Sequence, residues 1–257
     1  MALLRIDHVP ETTKVTMPLC VILPNPGKIG DLPIRERKVL YLLHGLSGDA
    51  TSWQRYSAIE TLAEAYGLVV VMPTAGRSFY ADLPNGQRYF SYLTEELPAY
   101  LDALFGLRPR REDTLIAGLS MGGYGAFKAA FAYPERFYAA ASLSGILGMG
   151  ILNSDPDDSR RAEFELVFGD LSKLPGSVHD PATWLERESA RGSDLPRLYI
   201  ACGLQDELLP LSSLFAKACG AAGHEVAYRE GEGGHDWLFW DLWIRDFLAY
   251  ALGPVPR

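Results

Sequence analysis

Short, nearly continuous apolar runs alternate along this chain with longer stretches of helical spacing. Thr12 to Leu23 alternates loosely and ends in Pro24-Asn25-Pro26-Gly27, which predicts a strand and a hairpin turn. Arg37 to Leu43 holds Val39, Leu40, Tyr41, Leu42 and Leu43 in sequence. A run of this kind suits a strand buried on both faces. Trp53 to Tyr66 has helical spacing, and Leu68 to Met72 is a further apolar run closed by Pro73. Thr94 to Phe105 predicts a helix with Glu95 and Glu96 in its first turn, where acids suit the helix dipole. Strands are predicted over Asp113 to Ala117, Phe137 to Ser142, Arg197 to Cys202 and Glu225 to Arg229. Helices are predicted over Tyr124 to Ala132, Leu209 to Ala221 and Asp236 to Tyr250.

Strands alternating with helices imply an α/β fold with a mostly parallel central sheet and helices on both faces. The stretch from Gly145 to Asp194 breaks the alternation. It is rich in Asp, Ser and Arg yet contains Phe164, Leu166, Val167, Phe168 and Trp184, and it reads as a small helical cap insertion over about 145–194. With no repeat or low-complexity linker, residues 1–257 are expected to form a single domain.

Composition changes this picture little, but it excludes several roles. Apolar residues are 48% and charged residues 22%, ordinary for a packed globular chain. The formal net charge of −8 opposes binding to nucleic-acid phosphate or an anionic lipid surface. Cys20, Cys202 and Cys219 are odd in number and far apart, without C-x-x-C spacing, so neither a disulfide framework nor a cysteine metal site is expected. Met1 to Pro10 includes Arg5, Asp7 and His8 and lacks the long apolar stretch of a signal peptide. No run of about 18 apolar residues suggests a membrane span. The expected location is cytoplasmic and the expected partner a small molecule. Aromatics in the cap and the last helix would also suit contact between copies in a homo-oligomer.

The candidate chemistry centres on Gly118-Leu119-Ser120-Met121-Gly122, a G-x-S-x-G pattern. A strand precedes it and a helix pattern follows, the context in which such a serine stands exposed on a sharp turn. A serine hydroxyl needs a base to take its proton. His235 lies in a glycine-rich loop between the last strand and the last helix, and can reach across the strand ends. Asp206 follows the strand Leu198 to Cys202, at the end of the sheet where α/β folds place their sites. It is the favoured acid to orient the imidazole, with Asp194 and Glu207 as weaker candidates. Asp236, adjacent to His235, reads instead as a helix cap. A developing oxyanion needs two backbone donors. One is the amide of Met121; the other is that of Leu46 or Gly45, in the loop after the first buried strand. His44, which ends that strand, reads as structural.

These residues carry a resemblance. Leu40 to Gly48 with Ser52-Trp53, then Gly118 to Ala126, then Gly234 to Trp237 look like the esterase D group of α/β-hydrolases, closest to its tributyrin-esterase branch. Ser78-Phe79-Tyr80 and the segment Tyr92 to Pro98 are similar as well. The resemblance spans about Val39 to Trp240 and is weakest in the cap. It implies an α/β-hydrolase fold and a serine carboxylesterase that cleaves short-chain acyl esters through an acyl-enzyme, without metal or cofactor. It implies the triad Ser120, Asp206 and His235, and it favours Leu46 and Met121 as oxyanion donors. Alternatives within the wider group are S-formylglutathione hydrolases, feruloyl-type and sugar-ester esterases, and acyltransferases. The formylglutathione branch carries a Cys soon after the oxyanion glycine and a His after Ser-Met-Gly-Gly; here Gly45 to Asp49 has no Cys and Tyr124 holds the second position. Phe164, Phe168 and Trp184 are candidates for the acyl-pocket wall and serve equally as core of the cap.

Overall fold

The computed structural model describes residues 1–25 and 32–255. Their strands β1 (Ala2–His8), β2 (Met17–Leu23), β3 (Val39–Leu43), β4 (Val69–Pro73), β5 (Thr114–Leu119), β6 (Ala139–Leu143), β7 (Arg197–Gly203) and β8 (Val226–Gly231) form one eight-stranded sheet. Its order is β1-β2-β4-β3-β5-β6-β7-β8. All pairings from β4 through β3 to β8 are parallel, and β1 and β2 join at one edge antiparallel.

The helices are α1 (Ser52–Tyr56), α2 (Ile59–Tyr66), α3 (Tyr89–Ser91), α4 (Leu97–Phe105), α5 (Met121–Ala132), α6 (Arg161–Phe168), α7 (Pro181–Arg191), α8 (Leu209–Ala221) and α9 (Trp237–Leu252). The continuous apolar strands are explained by two cores. In β3, Val39, Tyr41 and Leu43 face the core containing α5, while Leu40 and Leu42 face the one containing α9. Val69 and Val71 against Val70 and Met72 divide β4 in the same way. Alternate side chains point to opposite faces, so a strand covered on both sides reads as uninterrupted hydrophobicity. The sheet and its coverings are those of the α/β-hydrolase fold.

Several expectations need correction. The N-terminal residues form β1, paired with β2 from Ala2↔Leu23 to His8↔Met17. This edge strand is half exposed and interleaves Arg5, Asp7 and His8 with apolar residues, so its strand signal is weak. The hairpin partner of β2 is therefore β1, and a short 3-10 turn over Ile34–Glu36 precedes β3. Pro26 and Gly27 of the expected turn lie outside the described residues. Trp53 to Tyr66 is two helices, not one. Ser57 stops the first with extended backbone and a hydroxyl bonded to the Trp53 carbonyl, and Asp241 receives the amide of Ala58 at 2.7 Å. The predicted strand over Phe137 to Ser142 is shifted to Ala139–Leu143, and the helix expected from Tyr124 begins at Met121. The helix expected from Thr94 starts earlier, as α3 followed by a π-turn over Tyr92–Glu96. Pro98 has no N–H to offer the Thr94 carbonyl, and Arg136 donates to that oxygen instead at 2.6 Å.

Between β6 and β7 the chain leaves the sheet for the turn Met149–Asn153, α6, the turn Leu171–Lys173 and α7. Helix α7 packs on α5 and α8.

Candidate active site

β5 ends at Leu119 and α5 begins at Met121, so one residue must reverse the chain. Ser120 does so at φ 53°, ψ −120°, a conformation that costs a non-glycine residue about 1–3 kcal/mol. The amide of Ser120 donates to Leu143 at 2.8 Å, and its carbonyl accepts from Tyr124 at 3.1 Å. The glycines of the motif are needed by contact. A Cβ at Gly118 would lie 2.3 Å from the carbonyl oxygen of Gly122, and one at Gly122 would lie 2.5 Å from that of Leu43.

Asp206 and His235 come from the ends of β7 and β8. The loops carrying them are joined through Gln205, whose amide N–H donates to the Gly233 carbonyl at 3.0 Å and whose side-chain oxygen accepts from the Gly233 amide at 2.7 Å. The Nδ1 of His235 lies 2.9 Å from Oδ2 of Asp206. Oδ1 of Asp206 accepts the Leu208 amide at 2.9 Å. Burial pushes the Asp206 carboxyl upward, but hydrogen bonds from His235, Leu208 and Ser144 outweigh it and hold the group below the usual carboxylate range. The imidazole also packs against Trp240, ring centroids 5.0 Å apart and planes at 90°.

Ser144 escaped the sequence reading. It stands just past β6 at φ 50°, and its hydroxyl accepts the indole N–H of Trp240 at 3.1 Å, which leaves its own proton for Asp206. It thereby ties the acid to the aromatic ring against His235. The only trace in the sequence is a Ser-Leu-Ser-Gly turn after a strand.

The loop after β3 is shaped by His44, which is 1% exposed. Its Nε2 accepts the Ala75 amide at 2.9 Å, so Nδ1 must carry the proton it donates to the Gly45 carbonyl at 2.7 Å. Gly45 also accepts from Gly48 at 3.0 Å. A Cβ on Gly45 would strike Leu119 Cδ1 at 2.6 Å, so the loop lies directly against the serine turn. Met121 sits in the first turn of α5, where amides have no acceptor within the helix. Leu46 and Gly45 share a cleft with Ser120.

That cleft encloses about 720 Å³ and brings Ser120 and His235 together with Gly45, Leu46, Phe79 and Phe164. Ile146, Leu152, Leu208 and Trp240 add apolar wall, while Asp158, Arg160 and Glu207 bring charge to it. Arg160 is held by Asp158 through two contacts of 3.0 and 2.8 Å. Of the three proposed pocket aromatics, Phe164 lines the cleft. Phe168 packs edge-on to Phe79, at 5.3 Å, and Trp184 lines a different cavity with Lys128 and His179. Asp194 is exposed and paired with Arg111, and Asp236 caps α9 by accepting from Leu238 and Phe239. A further cavity of about 550 Å³, between Tyr41, Pro98 and Arg136, contains neither a serine nor a histidine. Among the described residues no group of three or more His, Cys, Asp or Glu is placed to hold a metal ion.

Fold and cleft together define a serine hydrolase of the α/β-hydrolase class. More particularly, the chain belongs to the Esterase family, whose model matches residues 11–250. It is 33% identical to an acetyl esterase of Caldicellulosiruptor saccharolyticus over 260 residues, covering 97% of this chain and 98% of that protein. The structure of FphF, a fluorophosphonate-binding serine hydrolase of Staphylococcus aureus, superposes with a TM-score of 0.88 at 32% identity, covering 97% of this chain and 98% of that one. An S-formylglutathione hydrolase, FrmB, of the same organism gives 0.86 at 32% identity with the same coverage. The protein is accordingly a carboxylic ester hydrolase. No helix among the described residues is long and apolar enough to cross a membrane.

Proposed function

We propose that this enzyme cleaves short-chain acyl esters, with Ser120 as nucleophile, His235 as general base and Asp206 as its orienting acid. The observation that carries the reading is the 2.9 Å His235–Asp206 pair, set in the same cleft as a serine at φ 53°. The ester carbonyl oxygen lies toward the amides of Leu46 and Met121, with Gly45 as the alternative donor. His235 takes the Ser120 proton as the hydroxyl attacks, then returns it to the departing alcohol. Water enters by the same base and releases the acid. Asp206 stabilises the imidazolium without taking its proton.

The short-chain preference rests on two supports: an apolar wall that includes Phe164 and Leu152, and the likeness to an acetyl esterase. Within the family we assign the chain to the tributyrin-esterase branch, as a single domain with a cap over about 145–194. Three buried free cysteines suit a reducing compartment, hence the cytoplasm. Exposed Leu238 and Leu242 on α9 suit a contact between copies in a homo-oligomer.

The test is hydrolysis of p-nitrophenyl esters from acetate to octanoate by wild type and Ser120→Ala, with fluorophosphonate labelling of both. Activity peaking at short chains, with activity and label lost in the variant, is expected. Label retained in Ser120→Ala would place the nucleophile elsewhere. A second reading, thioester hydrolysis, draws on the likeness to FrmB. It predicts faster turnover of S-formylglutathione than of any oxygen ester.

A further inference from the structure

Behind the aromatic wall of the cleft lies a second cavity of about 390 Å³, lined by Asp82, Phe90, Lys128, Val178, His179, Trp184 and their neighbours Ala132 and Arg187. It shares no lining residue with the cleft. Lys128, on α5, is only 8% exposed. Among the described residues its ammonium makes one hydrogen bond, a long one of 3.4 Å to the Tyr80 carbonyl, and it lies 4.7 Å from the Phe90 ring centre and 5.9 Å from that of Tyr124. It forms no salt bridge among the described residues. Asp82, the acid lining the same cavity, already accepts from the Phe90 amide, the Ser91 amide and the Ser91 hydroxyl at 2.7–2.9 Å.

A buried ammonium has three donors and strongly favours an anionic acceptor. His179 points the same way: its Nδ1 is buried without a hydrogen-bond partner. Arg187 adds a second cation, with Nε bound to Glu188 and Nη2 to the Phe131 carbonyl, so that Nη1 takes part in neither bond. The rest of the lining is apolar and aromatic: Phe90, Ala132, Val178 and Trp184. Burial, with the charge of Lys128, holds the His179 imidazole down to about 4, and burial holds the Lys128 ammonium down to about 8. For Lys128 the charge of Asp82 acts in the opposite direction but does not offset burial.

We propose that this cavity is a second binding site, separate from the cleft, for a small organic monocarboxylate. Its carboxylate accepts from Lys128 Nζ and the His179 imidazole, and its apolar body rests on Phe90 and Trp184. The site's chemistry fits acids of the kind an ester hydrolase releases, but the assignment rests on the cavity alone and holds whichever ester the cleft prefers.

The experiment titrates acetate, butyrate and benzoate into ¹⁵N-histidine-labelled enzyme near pH 7, with sodium chloride matched throughout. The readout is the imidazole ¹⁵N resonance of His179, assigned by its loss in His179→Leu. A saturable shift is expected, tighter for butyrate and benzoate than for acetate, and at least tenfold weaker in Lys128→Met. Should Lys128→Met fail to fold, Val178→Trp provides the second arm. Val178 is 71% exposed at the cavity's edge, and an indole there should close the cavity and abolish the shift. No saturable shift, a shift reproduced by chloride, one confined to His235, or undiminished affinity in a folded variant would each overturn the site.

Discussion

The Nε2 of His44 accepts the backbone amide of Ala75 at 2.9 Å, and this fixes which nitrogen holds the imidazole proton. The other nitrogen can then only donate, and it does so to the Gly45 carbonyl at 2.7 Å. A histidine outside the proposed triad thus sets the path of the loop that carries Leu46. Burial lowers its basicity, so the ring stays neutral. Replacing His44 with Ala orphans the Ala75 amide, at about 1–3 kcal/mol for a buried group, and leaves the Gly45 carbonyl with the Gly48 amide alone of its two donors. The expected outcome is a lower melting temperature and a kcat reduced by about tenfold or more, with KM changed little, because a displaced oxyanion donor acts in the transition state. Steady-state kinetics and thermal unfolding of the same preparation check both. A KM effect alone would show that the loop binds ester without stabilising the oxyanion.

Asp206 has three hydrogen-bond partners besides its charge, and they differ in what they contribute. Asp206→Asn removes the charge and turns one of the two acceptor oxygens that serve Leu208 and His235 into a donor, and it should lower kcat by roughly 10⁴, by analogy with other triads. Ser144→Ala removes only the link to Trp240 and Asp206, so its expected loss is far smaller, about tenfold. Ester hydrolysis by the two variants and their double mutant tests the order. If Ser144 works through Asp206, the double mutant is no worse than Asp206→Asn alone.

The glycines of the serine turn are steric requirements. Gly122→Ala would drive a methyl group to 2.5 Å from the Leu43 carbonyl oxygen and 2.7 Å from that of His44, where rigid backbone cannot yield. Insoluble expression, or folded protein with no turnover, is expected. Gly150→Ala, at a glycine with nothing within 4 Å of the added carbon, is the control and should express as wild type.

Much of this arrangement was legible in the sequence because it is local. Val39 to Leu43 advertises a strand buried on both faces, and a G-x-S-x-G turn between strand and helix needs no distant partner to be read. The strand-end position of Asp206 and the glycine-rich loop of His235 follow from topology. What stayed hidden depends on distant packing. β1 is stabilised by pairing with β2 rather than by its own pattern. Ser57 divides a helix whose periodicity runs through it, since one hydroxyl and the carboxylate of Asp241 decide the break. Ser144 and Gln205 join strand ends far apart in the chain, and no local pattern marks them. Composition alone groups Trp184 with Phe164, but in the fold Trp184 lines the cavity of Lys128 and His179.

Acid stability offers a test at the other end of the molecule. Glu188 on α7 is 1% exposed, and its carboxylate accepts from Arg187 at 2.6 Å, Arg191 at 3.0 Å and Ser193 at 2.6 Å. Burial would raise its carboxyl, but the bonds from Ser193 and the two arginines outweigh it and hold the group below its ordinary value. A depressed folded-state value means that stability is gained above the unfolded value, about 4.3, and lost as pH falls through the folded one. Glu188→Gln keeps the shape but not the charge. At pH 7 it should be less stable by about 1–3 kcal/mol, the cost of losing charge-assisted bonds at a buried acceptor, with both arginines partly in solvent. Urea unfolding of wild type and variant from pH 7 to pH 3 should show the gap narrowing below about pH 4, as the wild-type carboxylate takes up its proton. A gap that stays constant across that range would mean that Glu188 contributes through packing and neutral hydrogen bonds, and that its charge is not what fastens α7 beside α5.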